Sequence, residues 1–509
     1  MRQGILFALL LPTLAWANLF HVGPYLQRPG SNQMIVKWEA DKNKSFSLKY
    51  GISKDQLNQI GTFSTEKLQG KKIPPHRALY KAQLKGLTSN KRYFYQISNG
   101  SEVSPIYSFK TFPQGKRNFS FLALSDGQNG YKATERVVRE SLMPHAFDNP
   151  TLTKGFPVEM ALFAGDLVQN GASYGQWKKH FFDPLAPILK RIPVIPVIGN
   201  HEMDHRLYFS FFDLPENGFK EHWYFFDLGN VRFIGLDTNT RYRKKVQLDW
   251  LKEVLDDAHK KGIDFVVGYF HHPHESELWL LGNTKFSGKI QRVLEDFSIK
   301  SEIPTVHLCG HTHGYSRGHS LRANHSMITV ASIGGKLDQW GKHRQRDYLE
   351  YLVSLDQYGW VMGEVETGVN PTLTFKRFSY GDAHSFYDMG IKDEFTLKRY
   401  NEAPNKPVIK ETLVKDGGLS VTGNEFVDPD SDGHLTTHLQ ISKNNFKSVK
   451  YEDYIHFQNV YFGEDKNRHK SMTDIMVSRK LPVGKGYKAR IRYRDKALGW
   501  SEWSNSFSI

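Results

Sequence analysis

The chain has 509 residues, 39% of them hydrophobic and 13% aromatic, and its lysines and arginines outnumber its acids 68 to 53, for a formal net charge of +15. That length exceeds what one hydrophobic core serves and suggests about three domains, while the apolar content excludes a disordered chain. A single cysteine, Cys309, excludes any intramolecular disulfide framework, and the positive balance favours acidic partners, anionic surfaces or anionic substrates.

At the N-terminus, Arg2 precedes an apolar stretch at 4–14, and Ala15-Trp16-Ala17 offers a small-x-small cleavage pattern before Asn18. Residues 1–17 therefore read as an export signal, with a signal anchor as the alternative. The stretch is too short to cross a bilayer, and no later apolar run approaches the ~20 residues needed, so no transmembrane segment is expected. The expected location is periplasmic or extracellular. Residues 18–113 then alternate polar and apolar side chains in short runs, 33–39, 46–50, 79–84, 93–97 and 106–112, separated by glycine, asparagine and serine. This is the pattern of a small all-β sandwich.

From 117 to 382 the periodicity changes: amphipathic helices are predicted at 134–142, 175–189, 246–259 and 289–299, alternating with strands in a layered α/β domain. The segment 403–509 returns to β, with an alternating run at 487–494 before Trp500 and Trp503. There, Asp428, Asp430 and Asp432 before Gly433 imitate the opening of a calcium loop, but its twelfth position is Leu439 where a bidentate glutamate is required, so an Asp-rich turn is the expectation. No nucleic-acid recognition motif and no dense basic run appears.

The chemistry lies where apolar strands end. The run 303–308 breaks at Gly310 and is followed by His311 and His313. Upstream, 119–124 runs into Ser125-Asp126-Gly127-Gln128, 160–164 into Gly165-Asp166-Leu167-Val168, 194–198 into Gly199-Asn200-His201-Glu202, and 265–270 into His271-His272-Pro273-His274. One such block is a turn signal. Five in this order, each at a strand exit, point to a site beyond the carboxyl ends of the strands, and aspartate with histidine suits borderline metals such as zinc, manganese and iron.

Taken together, the five blocks resemble the calcineurin-like metallophosphoesterases, and with the N-terminal sandwich the chain is similar to the purple acid phosphatases over roughly 20–380. Trp38 and the stretch 84–93 resemble a fibronectin type III domain, with Tyr93 at the tyrosine-corner position. The C-terminal sandwich resembles accessory domains of exported bacterial enzymes. The resemblance implies a helix-flanked β-sandwich catalytic core between two all-β sandwich domains. It also implies two metal ions, divalent or mixed-valence iron, manganese or zinc. Asp166 would bridge them, Asp126 and His313 would hold one, and Asn200, His271 and His311 the other. His201 matches the histidine that contacts the phosphate or protonates the leaving group. His272 and His274 are further candidates, able to hydrogen-bond behind the ligands. His205, Arg317 and His319 are close enough in sequence to line the cleft.

Two positions depart from the family pattern. Purple acid phosphatases carry a metal-binding tyrosine three residues after the bridging aspartate; here that position is Gln169, with Tyr174 five residues further on. Many metallophosphoesterases carry a histidine ligand two residues after the first aspartate; here it is Gln128, able to ligate through its amide oxygen or to orient a water. The expected function is an exported phosphatase that hydrolyses small phosphomonoesters by attack of metal-activated hydroxide. The alternatives are a phosphodiesterase or nucleotidase with the same site, and a non-enzymatic surface protein. The sandwich domains are the surfaces for contact with an anionic polymer or the cell surface.

Overall fold

The computed structural model describes residues 19–415, 418–467, 471–477 and 486–509; the export signal read at 1–17 lies outside them. No helix among the described residues is long and apolar enough to cross a membrane. The N-terminal unit is a seven-stranded sandwich, in the order Val22–Gln27, Gln33–Asp41, Arg77–Lys85, Gln59–Glu66, Ser47–Gly51, Arg92–Ser98, Tyr107–Lys110. Its core is aromatic: the buried Trp38 ring stacks on Tyr80 at 5.3 Å and meets Phe46 and Phe63 edge-on. The Tyr93 hydroxyl accepts from the backbone N–H of Thr88 at 2.9 Å, closing the corner where the strand begins.

The central unit is two sheets packed face to face. One has six strands, Val194–Pro196, Val158–Phe163, Phe119–Leu124, Gly359–Glu366, Thr372–Tyr380 and Asp388–Lys398. The other has nine, including Val231–Gly235, Phe265–Tyr269, Thr305–Cys309 and His325–Val330 in parallel register. In the six-stranded sheet the three parallel strands form one half, with Val194–Pro196 at the edge, and antiparallel strands form the other; in the nine-stranded sheet antiparallel strands flank the parallel ones. Each parallel strand is covered on both faces, which is why Phe119–Leu124 is buried throughout and apolar at every position but Ser120, with no alternation. Phe121 from one sheet meets Phe233 from the other at 5.1 Å, edge to face, in the seam between them.

Helices cover the outer faces. Lys245–Lys260 turns Leu251, Val254, Leu255 and Ala258, spaced three and four apart, onto the nine-stranded sheet beside Ile290, Leu294 and Phe297 of Lys285–Ser301. Burying each of those leucines contributes about 2 kcal/mol. The strand Asp388–Lys398 pairs with Thr372–Tyr380, so this sheet runs past residue 382.

The C-terminal unit has sheets of three and four strands around Leu419, Val421, Leu439, Ile441 and Ile491. It also reaches back: Val460 pairs with Val353 at the edge of the nine-stranded sheet, and Trp340 packs between Tyr461 and Phe462 at 4.9 and 5.3 Å. The aspartates considered for calcium are otherwise engaged. The Lys398 ammonium bonds Asp432 at 2.7 Å, Asp428 accepts from the Asp432 N–H at 2.9 Å, and Asp430 accepts from the Glu402 N–H at 2.9 Å.

The N-terminal sandwich is fastened to the central unit at Asp213. Its carboxylate meets the buried Lys37 ammonium at 2.7 Å and the Lys81 ammonium, and Lys37 also donates to the Ser210 carbonyl at 2.8 Å. Burial alone would raise the Asp213 carboxyl, yet the two ammonium groups hold it below the usual carboxylate range. Removing one partner of a buried pair leaves the other charge desolvated. Asp213→Ala should therefore lower stability by roughly 2–3 kcal/mol, short of the full cost of an unpaired buried ion because Glu66 still lies 3.8 Å from Lys37. The check is a chemical-denaturation midpoint; Lys37→Met added to Asp213→Ala should recover part of the loss.

Candidate metal centre

All five motif blocks leave the sheets at the carboxyl ends of parallel strands and fold toward one point. The chain turns there by adopting conformations that L-residues avoid: Asp126, Gln128, Asp166 and His311 have φ of 58°, 43°, 57° and 70°. Each costs on the order of 1–3 kcal/mol and persists only where surrounding structure over-determines it. Two glycines leave room for the carboxylates. A Cβ at Gly310 would lie 2.4 Å from Asp126 Oδ2, and one at Gly199 would lie 2.2 Å from Asp166 Oδ1.

The acceptors converge. Ligand atoms of Asp126, Asp166 and His271 lie within 4.8 Å of one another, as do those of His271, His272 and His311. His271 Nδ1 donates to the Ala164 carbonyl at 2.8 Å, which turns Nε2 toward Asn200 Oδ1 at 3.0 Å and Asp166 Oδ2 at 3.1 Å. His313 repeats the design: Nδ1 donates to the Lys336 carbonyl at 2.6 Å, and Nε2 faces Asp126 Oδ1 at 3.2 Å. A carbonyl only accepts, so in both rings Nδ1 keeps its proton and the inward Nε2 is the atom that offers a lone pair once its own proton leaves.

Lone pairs of two carboxylates, an amide oxygen and imidazoles turned on one buried spot repel unless something positive lies among them. In the metal-free chain that is a proton. Burial opposes charge on His271 and His313, but Asp166 lifts the first to about 9 and Asp126 lifts the second to about 9. His311, by contrast, is driven down to about 3 by burial and the neighbouring His271 charge. Divalent cations would neutralise the same carboxylates without those protons, and this mixed oxygen and imidazole set fits zinc, manganese or iron.

Not every expected residue joins the centre. Gln128 does, with its amide nitrogen donating to Asp166 Oδ2 at 2.9 Å and lying 3.3 Å from His313 Nε2; with the nitrogen inward the amide oxygen is turned away from the carboxylate. His272 is buried against the His311 ring at 4.4 Å, with Nδ1 on the Thr238 hydroxyl at 2.9 Å. His274 turns away, its ring against Gly288 and its Nδ1 3.3 Å from the Thr284 carbonyl, because helix Lys285–Ser301 covers it. His205 caps helix Arg206–Phe211 by accepting from the Leu207 N–H. Arg317 pairs with buried Asp393 at 2.6 Å, and His319 bonds Arg317 and Ser326, so both lie inside the sheet and not in the cleft.

His201 stands over Asp166. Its Nδ1 donates to the Gln169 carbonyl at 2.8 Å, leaving Nε2 3.9 Å from Asp166 Oδ2, and its own N–H donates to Asp166 Oδ1 at 2.9 Å. The Gln169 side chain lies 3.2 Å from the same ring. Tyr174 is far from this arrangement, its hydroxyl bonded to Glu39 of the N-terminal sandwich.

Glu202, quoted in its motif but assigned no role there, proves central. Fully buried, it accepts N–H bonds from Asp166 at 2.9 Å, Leu167 at 2.8 Å, Val168 at 3.3 Å and Gly199 at 2.7 Å, tying two ligand loops together. Burial, then the Asp166 charge, pushes its carboxyl up to about 8. The signal for it was an acid directly behind two site residues in an apolar context. Ser332 and Asp338 also contribute, the first donating to the Asp126 carbonyl at 2.8 Å and the second accepting from the His313 N–H at 2.9 Å. Nothing in their local sequence marked them.

Residues 119–315 match the family model of the calcineurin-like phosphoesterases, and residues 21–111 match that of the purple acid phosphatase N-terminal domain. Among curated proteins, the chain is 25% identical over 342 residues to a "probable inactive purple acid phosphatase 9" of Arabidopsis thaliana, covering 56% of this chain and 52% of that one. It is 24% identical over 341 residues to an uncharacterised protein of Mycobacterium tuberculosis, covering 59% and 62%. The chain thus spans between half and two thirds of the length of the curated relatives it matches. A purple acid phosphatase from yellow lupin seeds superposes with a TM-score of 0.56 at 15% identity over 73% of each chain. PhoD superposes with 0.54 at 13% identity over 74% of this chain and 90% of that one. At these identities the two structures establish the shared fold.

Because His271 and His313 must release protons for a cation to bind, metal affinity should rise with pH up to about 9, by as much as roughly tenfold per unit for each coupled proton. Calorimetric titration of the chelator-stripped chain with zinc or manganese, in buffers of different ionisation enthalpy, reads both the affinity and the protons released. A flat profile with no proton release would contradict the assignment.

Proposed function

We propose that this chain, a calcineurin-like phosphoesterase with a purple acid phosphatase-type N-terminal domain, is an exported phosphatase that holds two metal ions and hydrolyses phosphomonoesters. The observation that carries the reading is the convergence of Asp126, Asp166, Asn200, His271, His311 and His313 with inward lone pairs and few protons. Asp166, within 4.8 Å of Asp126 and 3.1 Å from His271 Nε2, would be shared; Asp126 and His313 would hold one ion, and Asn200, His271 and His311 the other. When bound, the two ions supply charge neutralisation for the phosphoryl oxygens and a nucleophilic water at neutral pH.

The remaining work falls to the chain. His201, held by the Gln169 carbonyl through Nδ1, presents Nε2 at the open side of Asp166, where it can give a proton to the departing oxygen of the ester. Gln128 donates to Asp166 and so fixes which carboxylate lone pairs remain for cations. His272 carries no charge in its apolar setting, being pushed well below its ordinary range by burial and the His271 charge, and it supports the His311 ring rather than moving protons. Glu202 keeps both ligand loops in register through their N–H groups.

Asp166→Asn should abolish turnover and reduce bound metal at both positions, measured by mass spectrometry of the purified protein. A variant with full metal content and full activity would remove the bridging role. His201→Ala should instead keep its metals and lose two to four orders of magnitude in rate, roughly the range for an acid-base group, with a smaller loss on esters of good leaving groups. Parallel assays on a monoester and a diester separate the phosphatase from a phosphodiesterase. Turnover of neither, with metals bound, would mark a non-enzymatic protein.

Charge-transfer colour requires a phenolate on ferric iron, and Gln169 occupies the position that would provide it. Iron-loaded protein should therefore show no visible phenolate band. A purple protein would mean that a tyrosine reaches the centre, against the bond that holds Tyr174 to Glu39.

A further inference from the structure

At the opposite end of the six-stranded sheet a second concavity lies between the N-terminal sandwich and the catalytic unit, with a volume of about 590 Å³. It opens where strand Val158–Phe163 begins, and the metal centre lies where that strand ends, about 20 Å away at the rise of a six-residue strand. Five cations line it, Lys54, Arg92, Lys110, Lys190 and Arg191, against one carboxylate, Glu159.

Two of the five are engaged. Lys110 bonds Glu159 at 2.6 Å, and Arg191 lies 4.0 Å from Asp148 at the rim. The other three have no carboxylate within ion-pair distance among the described residues. Arg92 donates to the Ser108 hydroxyl at 3.2 Å, while Lys54 and Lys190 lie over the Phe94 and Tyr107 rings at 5.8 and 5.5 Å. Lys190 is partly buried, and burial, with Arg191 and Arg139 behind it, lowers its proton affinity. Enclosing an ammonium among like charges costs stability unless an anion offsets it, and the same wall carries the rings of Phe147 and Phe156.

We infer that this interdomain groove is an anion-binding site separate from the metal centre, and that its ligand class is an oligophosphate, either a condensed phosphate or the polyphosphate tail of a nucleotide. Three unpaired cations in one groove call for a dense multivalent anion. The volume is in the range that encloses a whole small molecule rather than a lone phosphate. The aromatic wall suits a ligand that carries a base, and the cationic floor suits either source. The site does not depend on the phosphatase reading, since none of its residues belongs to the centre.

Calorimetric titration of the metal-loaded chain with tripolyphosphate, with ATP and with citrate tests it, metal content being checked before and after. The expected result is one equivalent of oligophosphate that survives in Asp166→Asn and is weakened by roughly tenfold or more in Lys190→Ser/Arg92→Ser, with steep loss as salt rises. Monoester turnover in that double variant should be unchanged. ATP binding more tightly than tripolyphosphate would identify a nucleotide; equal affinity would identify the phosphate chain alone. Lys54→Glu, at an exposed position whose ammonium only lies over the Phe94 ring, is a second variant that should weaken binding while leaving the fold intact. Equal affinity in wild type and both variants would overturn the site, and citrate binding as tightly as tripolyphosphate would overturn the ligand class.

Discussion

A concentration of lone pairs with too few protons is the constraint on which this structure depends. Asp126, Asp166, Asn200, His271, His311 and His313 point at one region, buried on its Asp126, Asp166 and His271 side, and such an arrangement is unstable unless cations or protons occupy it. The surrounding architecture holds these groups in place against their repulsion. Nδ1 protons committed to the Ala164 and Lys336 carbonyls prevent His271 and His313 from rotating away. Glu202 gathers four N–H groups from two loops, and glycines at 199 and 310 let carboxylates approach the backbone. Left-handed φ angles at four site residues are the local cost of aiming side chains from strand ends, offset by that network.

The same strand ends explain why the centre is built by one unit and steadied by two others. Loop 332–338 supplies Ser332, Lys336 and Asp338 to the centre, and Trp340, just beyond it, is gripped by Tyr461 and Phe462 of the C-terminal unit. Asn459 bonds Asp347 at 3.1 Å and His456 bonds the Leu349 carbonyl at 2.9 Å, fastening the rest of that segment. On the other side, Asp213 ties the N-terminal sandwich to the helix that follows His201. The C-terminal region therefore acts as a strut for a loop that reaches the ligands, a role its own β pattern does not announce.

Gln169 gives the centre its particular character. Where a phenolate would add a charged ligand and favour ferric iron, a neutral amide side chain lies 3.2 Å from the His201 ring, which the Gln169 backbone carbonyl aligns. That carbonyl belongs to the backbone, so only the phenolate is lost with the tyrosine.

The amino-acid sequence by itself determined the strands that carry the motifs, the α/β character of the middle of the chain, the β character of both ends, and the residues that meet at the centre. Those features are local: apolar runs, turn residues and the chemistry of side chains directly behind them. Only the tertiary structure decided the rest. It turned the Gln128 nitrogen inward because the Asp166 carboxylate faces it, set His274 against a helix, and sank Arg317 and His319 into the sheet. It gave Glu202 four partners, and joined Val460 to Val353 across 107 residues. Each of these depends on groups distant in the chain, and periodicity carries no record of which surfaces will meet.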